Sequence, residues 1–142
     1  MEVPINYLAV IVAAIVSMAI GFFWYGNLFG KAWMRLAGIT QDDMKSMKAK
    51  MSPLAASIGG FLTALLMSYV LAHALVFGNA YLGMFGAGAG MMGAFWYWLG
   101  FVVPVTAGVY LWEGKSWKLW AINAGYYFVS LLVMGAILAS WV

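Results

Sequence analysis

The chain has 142 residues, 66% of them hydrophobic and only 8% charged, with a mean hydropathy of +0.95. A soluble domain carries roughly 25% charge, so this composition indicates a single-domain integral membrane protein and excludes a soluble or disordered chain. The net charge of +3 is too small to mark a nucleic-acid binder, and the absence of Cys excludes disulfides, thiolate metal sites and cysteine nucleophiles.

Four runs reach the length of about 20 apolar residues that a bilayer crossing requires. The first, residues 5–26, holds no charge and follows Glu2 and Pro4 without a basic n-region, so a retained span is expected rather than a cleaved signal. Small residues recur in it every fourth position at Ala9, Ala13, Ser17 and Gly21. The connection 27–52 is the one sizeable polar segment. Phe29, Trp33, Met34 and Leu36 interleave with Lys31 and Arg35, which suits a short helix at headgroup level that Gly38 would stop. Thr40 and Asp43 then resemble a capping box opening a second short helix through Met51, with Lys45, Lys48 and Lys50 turned to headgroups or water.

The second span, 53–77, opens on Ser52-Pro53, a cap followed by a proline whose missing N–H costs nothing there. It repeats the period-four pattern at Ala56, Gly60, Ala64, Ser68 and Ala72. Such stripes let helices approach closely where lipid supplies no hydrophobic drive, so these two spans are expected to pack on each other or on a second copy. His73, near the expected outer end, suits a lone hydrogen bond better than a proton relay. The third span is assigned to 82–112 as a long tilted helix, with a loop or a short re-entrant piece over its glycine-rich start, 81–93, as the alternatives. Gly86 and Gly90 in it, and Gly100 and Gly108 around Pro104, predict bundle packing, with a hinge at Pro104 as the alternative.

The fourth span, 117–141, carries the most informative polar pattern. At about 100° per residue, Ser116, Trp120, Asn123, Tyr127, Ser130 and Met134 share one stripe. Polar groups at membrane depth need partners, so the stripe should face the bundle interior, either as structural hydrogen bonds or as a solute path. Asn6, Ala13, Ser17 and Trp24 share a face of the first span and are expected to meet it. Most other tryptophans read as interfacial belt residues.

All seven basic residues fall in the first and third connections and none in the second or at the termini. The positive-inside rule then predicts a bacterial cytoplasmic (inner) membrane protein with both termini outside and loops 27–52 and 113–118 cytoplasmic. Lys31, Arg35, Glu113 and Lys118 are candidates for a cytoplasmic clasp or gate. With one His and no Cys, no metal site or cofactor is expected. Ser without a base and four scattered acids leave no catalytic residues, so no enzyme is expected.

Asn6-Tyr7-Leu8-Ala9, Phe23-Trp24-Tyr25-Gly26 with Leu28-Phe29-Gly30-Lys31-Ala32-Trp33, and Trp112-Glu113-Gly114-Lys115-Ser116-Trp117 leading into Ile122-Asn123-Ala124-Gly125-Tyr126-Tyr127 give a fairly specific pattern over nearly the whole chain. It resembles the small bacterial membrane protein family catalogued as domain of unknown function 1761. Asn27, where that pattern has proline, departs from it at the local turn. The resemblance implies a four-span membrane fold and no established activity.

The residues thus indicate an all-α, four-helix membrane protein with a short interfacial helical segment, associating with the lipid bilayer and with further copies of itself. It would bind or pass a small solute or lipid-like molecule, with Asn6, Ser17, Trp24, Trp120, Asn123, Tyr127 and Ser130 lining the interior. The alternative is a non-transporting accessory protein packed beside a larger partner.

Overall fold

Residues 2–141 are described by the structure, a computed structural model, and they form helices joined by short loops, with no strand among them. α1 (Tyr7–Phe23) continues through a π-helical turn (Trp24–Leu28) to make the first long apolar helix. α2 (Gly30–Ala37) and α3 (Gln41–Lys50) occupy the polar connection, and α4 (Pro53–Leu82) is the second long helix. α5 (Ala87–Tyr97), a second π-turn (Trp98–Val102) and α6 (Val103–Glu113) run together as the third, and α7 (Trp117–Ser140) is the fourth. These four helices are long and apolar enough to cross a membrane, which by length and composition makes this a multi-pass membrane protein.

The helix starts follow the local chemistry. Asn6 Oδ1 accepts from the Ala9 N–H at 3.1 Å, and Ser52 Oγ accepts from the Ala55 N–H ahead of Pro53. Thr40 and Asp43 form the reciprocal capping box: Thr40 Oγ1 accepts from the Asp43 N–H, and Asp43 Oδ2 accepts from the Thr40 N–H. The Thr40 N–H and the Thr40 hydroxyl, both donating to Asp43 Oδ2, hold that carboxyl below its ordinary pKa.

Three span boundaries depart from expectation. The first helix reaches Leu28 and the second reaches Leu82, so His73 lies well inside α4, its Nδ1 against the Tyr69 carbonyl at 2.8 Å. The third begins at Ala87 rather than near Leu82, because residues 83–86 are a loop. Gly83 and Gly86 there have φ of 64° and 86°, a region other residues rarely enter. The buried Asn79 amide ties this loop down when its carboxamide is oriented to satisfy both ends, its nitrogen then donating to the Met84 carbonyl at 2.6 Å. Pro104 causes no break. In an α-helix its ring would strike the carbonyl four residues back, whereas here the preceding π-turn, closed by the Val103 N–H on the Trp98 carbonyl, inserts one residue and shifts that carbonyl away.

α7 is the centre of the bundle and packs on α1, α5 and α6, while α1 also packs on α4. Ala9, Ala13 and Ser17 of α1 and Ala64, Ser68 and Ala72 of α4 are buried, and Ser68 Oγ donates to the Val10 carbonyl at 2.8 Å. Both stripes are thus covered within one chain but largely by other faces: Ser17 and Gly21 of α1 lie against Ser130 and Tyr126 of α7, and Gly60 and Ser68 of α4 meet Met18 and Val10 of α1, while Ala56 stays exposed at the start of α4. The closest approach is between α5 and α7. A Cβ on Gly90 would collide with the Gly135 carbonyl and lie 2.6 Å from Ala139 Cβ, and one on Gly135 would lie 2.9 Å from Ala94 Cβ. Gly100 and Gly108, expected to pack inside the bundle, have open space beside them and face outward.

The start of α1 and the end of α7 lie at one end, where Asn6 Nδ2 donates to the Trp141 carbonyl at 3.0 Å. The opposite end carries all seven cations, six in the two connections and Lys118 in the first turn of α7.

Candidate functional site

The polar groups of the fourth helix divide between a closed core and an open cleft. Halfway along the bundle, Ser17 Oγ and Ser130 Oγ are 2.6 Å apart and both residues are buried, beside a fully buried Met134. Tyr126 completes this group, its hydroxyl donating to the Ser17 carbonyl at 3.2 Å. Every polar atom there has a partner inside the protein, so Ser17 and Ser130 join helices and line no space.

Toward the basic end the arrangement opens. Tyr25, carried on the first π-turn, donates its hydroxyl to Asn123 Oδ1 at 2.8 Å, and Asn123 Nδ2 donates to the Tyr110 hydroxyl at 2.7 Å. One carboxamide on α7 therefore links the first span to the third. Beside it, Trp120 Nε1 donates to Thr106 Oγ1 at 2.9 Å, and Thr106 gives its own proton to the Val102 carbonyl one turn back. Around Asn123 lies a cleft of about 550 Å³, walled by Tyr25, Tyr110, Tyr127 and Val109 and covered by Trp33 of α2 and Met44 of α3. That volume is in the range of small-ligand pockets, as is the combination of apolar walls with a few convergent polar groups. A groove of about 540 Å³ between α4 and the third span has only apolar side chains and a tyrosine ring along it, so it lacks such convergence.

The predicted residues are thus only partly assembled. Asn123 and Tyr127 line the cleft, and Trp120 adjoins it through Thr106. Asn6 is at the far end of the bundle. Trp24, expected as a lining residue, instead anchors α7, donating its indole N–H to the Ile122 carbonyl at 2.9 Å. The clasp of Lys31, Arg35, Glu113 and Lys118 does not form: Glu113 pairs with Lys115 at 2.6 Å, each about half exposed, because the tight turn at Gly114 brings these two neighbours together. That hydrogen bond raises the Lys115 pKa. Tyr25, Trp33, Met44, Thr106 and Tyr110 carry no sequence signal that marks them as lining residues. Tyr25 looks like a belt residue, and the others have no common spacing, since they come from separate elements.

A family model described as protein of unknown function, DUF1761, matches residues 8–139, nearly the whole chain. The chain belongs to this family. No curated protein and no solved structure matches it. For this DUF1761 member, then, the chemistry of the cleft itself carries the functional argument.

Proposed function

We propose that the protein binds a small amphipathic molecule, lipid-like or membrane-soluble, in the cleft around Asn123. The observation that carries this is the Tyr25–Asn123–Tyr110 chain, which sets polar groups in an aromatic cleft that protein side chains do not fill. Its place at the basic end, beneath two surface helices, is where a molecule with an apolar body and a polar head would rest. Binding is favoured over passage because Ser17, Ser130 and Met134 close the bundle beyond the cleft. In this reading the basic end faces the cytoplasm of a bacterial inner membrane, by the positive-inside rule. No second copy is needed, since the small-residue stripes that argued for one are largely covered within the chain, that of α1 by α7 and that of α4 by α1.

A second reading, an accessory protein beside a larger partner, draws on the third span, the least covered of the four, with outward-facing Gly100 and Gly108. Native mass spectrometry from lipid nanodiscs separates the two. A retained small mass that Asn123→Leu removes without loss of fold is the expected result. A bare chain, or a bound mass indifferent to Asn123→Leu, would sink the cleft reading, and a co-purifying protein would favour the accessory one.

A further inference from the structure

The hydrogen-bond inventory of the cleft is unbalanced. Asn123 uses Oδ1 on Tyr25 and one N–H on Tyr110, and Thr106 both accepts and donates. The Tyr110 hydroxyl accepts from Asn123, but its own proton has no acceptor among the described residues. The Tyr127 hydroxyl has no partner at all among them. Two phenol O–H donors therefore line a cleft whose walls hold no carboxylate: Glu113 is engaged by Lys115, Asp43 by Thr40, and Asp42 beside it on α3 is exposed and is not among the lining residues. Lys48 stands one turn from Met44 on α3, so it lies on the helix face that meets the cleft, and it forms no ion pair among the described residues.

Spare donors, a cation on the same face of α3 as Met44 and no acid among the lining residues favour one chemistry, since a charged acceptor draws the strongest hydrogen bonds from such donors. We propose that the cleft takes an amphiphile with an anionic oxygen head, its oxygens accepting from Tyr127 and Tyr110 and its apolar chain lying against Val109 and the aromatic rings of the walls. This rests on the cleft being the binding site. The head can be a long-chain carboxylate or the phosphate of an anionic phospholipid.

The test uses the full chain in phosphatidylcholine nanodiscs at about pH 8, where carboxylates and amines are both charged. Oleate, methyl oleate, oleylamine and phosphatidylglycerol are offered separately, and retained masses are read by native mass spectrometry. Oleate or phosphatidylglycerol should be retained over the ester and the amine, and which one is retained names the source of the head. Tyr127→Phe keeps the ring and should weaken retention of that anion roughly tenfold or more. Tyr81→Phe, at an exposed position near the loop 83–86, should change nothing. Equal retention of the amine, or unchanged anion binding in Tyr127→Phe, overturns the anionic head and leaves the cleft reading standing. Retention of none of the four, with Asn123→Leu indistinguishable from the parent, overturns both.

Discussion

Trp24 and Trp98 hold the same stretch of α7 from two different helices. Trp24 Nε1 donates to the Ile122 carbonyl and Trp98 Nε1 to the Ala124 carbonyl, each at 2.9 Å. Carbonyls two residues apart on a helix point to nearly opposite sides, so the central helix is gripped from both flanks. Each tryptophan is also the first residue of a π-turn. The extra residue in such a turn rotates the downstream part of the helix by about 100°. In the first span Tyr25 comes directly after the tryptophan, so the turn that seats the indole also helps aim the phenol at Asn123.

Replacing Trp24 or Trp98 by Phe keeps an aromatic ring and removes the donor. In membrane proteins one such interhelical bond is worth about 0.6 kcal/mol on average and up to about 1.7. Each variant should therefore remain folded and show faster amide exchange along residues 122–128. Unchanged exchange in both variants would mean that packing alone holds α7.

Gly135→Ala places a methyl group against the Gly90 backbone and Ala94, with no flexible neighbour to yield. Overpacking of this kind costs about 1 to 3 kcal/mol. Gly100→Ala and Gly108→Ala, which meet open space, should stay within about 0.5 kcal/mol of the parent. Unfolding midpoints in detergent micelles measure the contrast, and equal midpoints would contradict the α5–α7 contact.

Ser17→Ala and Ser130→Ala each leave one buried hydroxyl with fewer partners. A double-mutant cycle should give a coupling of about 0.5 to 1.5 kcal/mol, since the two Oγ atoms are 2.6 Å apart. Binding at the cleft should survive both changes, because neither residue lines it. Loss of ligand with intact stability would extend the site into the core.

The Asp43 carboxyl is held below its ordinary value of 3.8 by the Thr40 backbone N–H and hydroxyl. A group with a lowered folded pKa stabilises above its unfolded value and loses that contribution as pH falls through the folded one. Exchange protection at the start of α3 should therefore be constant from neutral pH down to about 5 and fall below about 4. Thr40→Ala should lower it by roughly fivefold already at neutral pH, as loss of an N-cap does. A pH-independent α3 in the parent chain would remove the capping box from the account.

Most of the secondary structure is legible in the residues. Apolar runs of bilayer length mark the four long helices, Ser52-Pro53 and Thr40 with Asp43 mark two helix starts, and Gly38 marks the end of α2. The one-sided basic residues place both connections at a single end. All of this is local chemistry: the cost of unpaired backbone groups in hydrocarbon and the conformational limits of Pro and Gly.

Which faces meet was decided only in three dimensions. A soluble helix announces its buried face by an apolar stripe, but these helices are apolar on every side, so periodicity says little about which face is inside. Small residues therefore pointed equally to Gly90, which touches Gly135, and to Gly100, which touches nothing. Asn123 could be singled out as a polar group that needs partners. That those partners are Tyr25 and Tyr110, with Trp33 and Met44 above them, is set by two π-turns and the packing of five helical elements, which no spacing along the chain records.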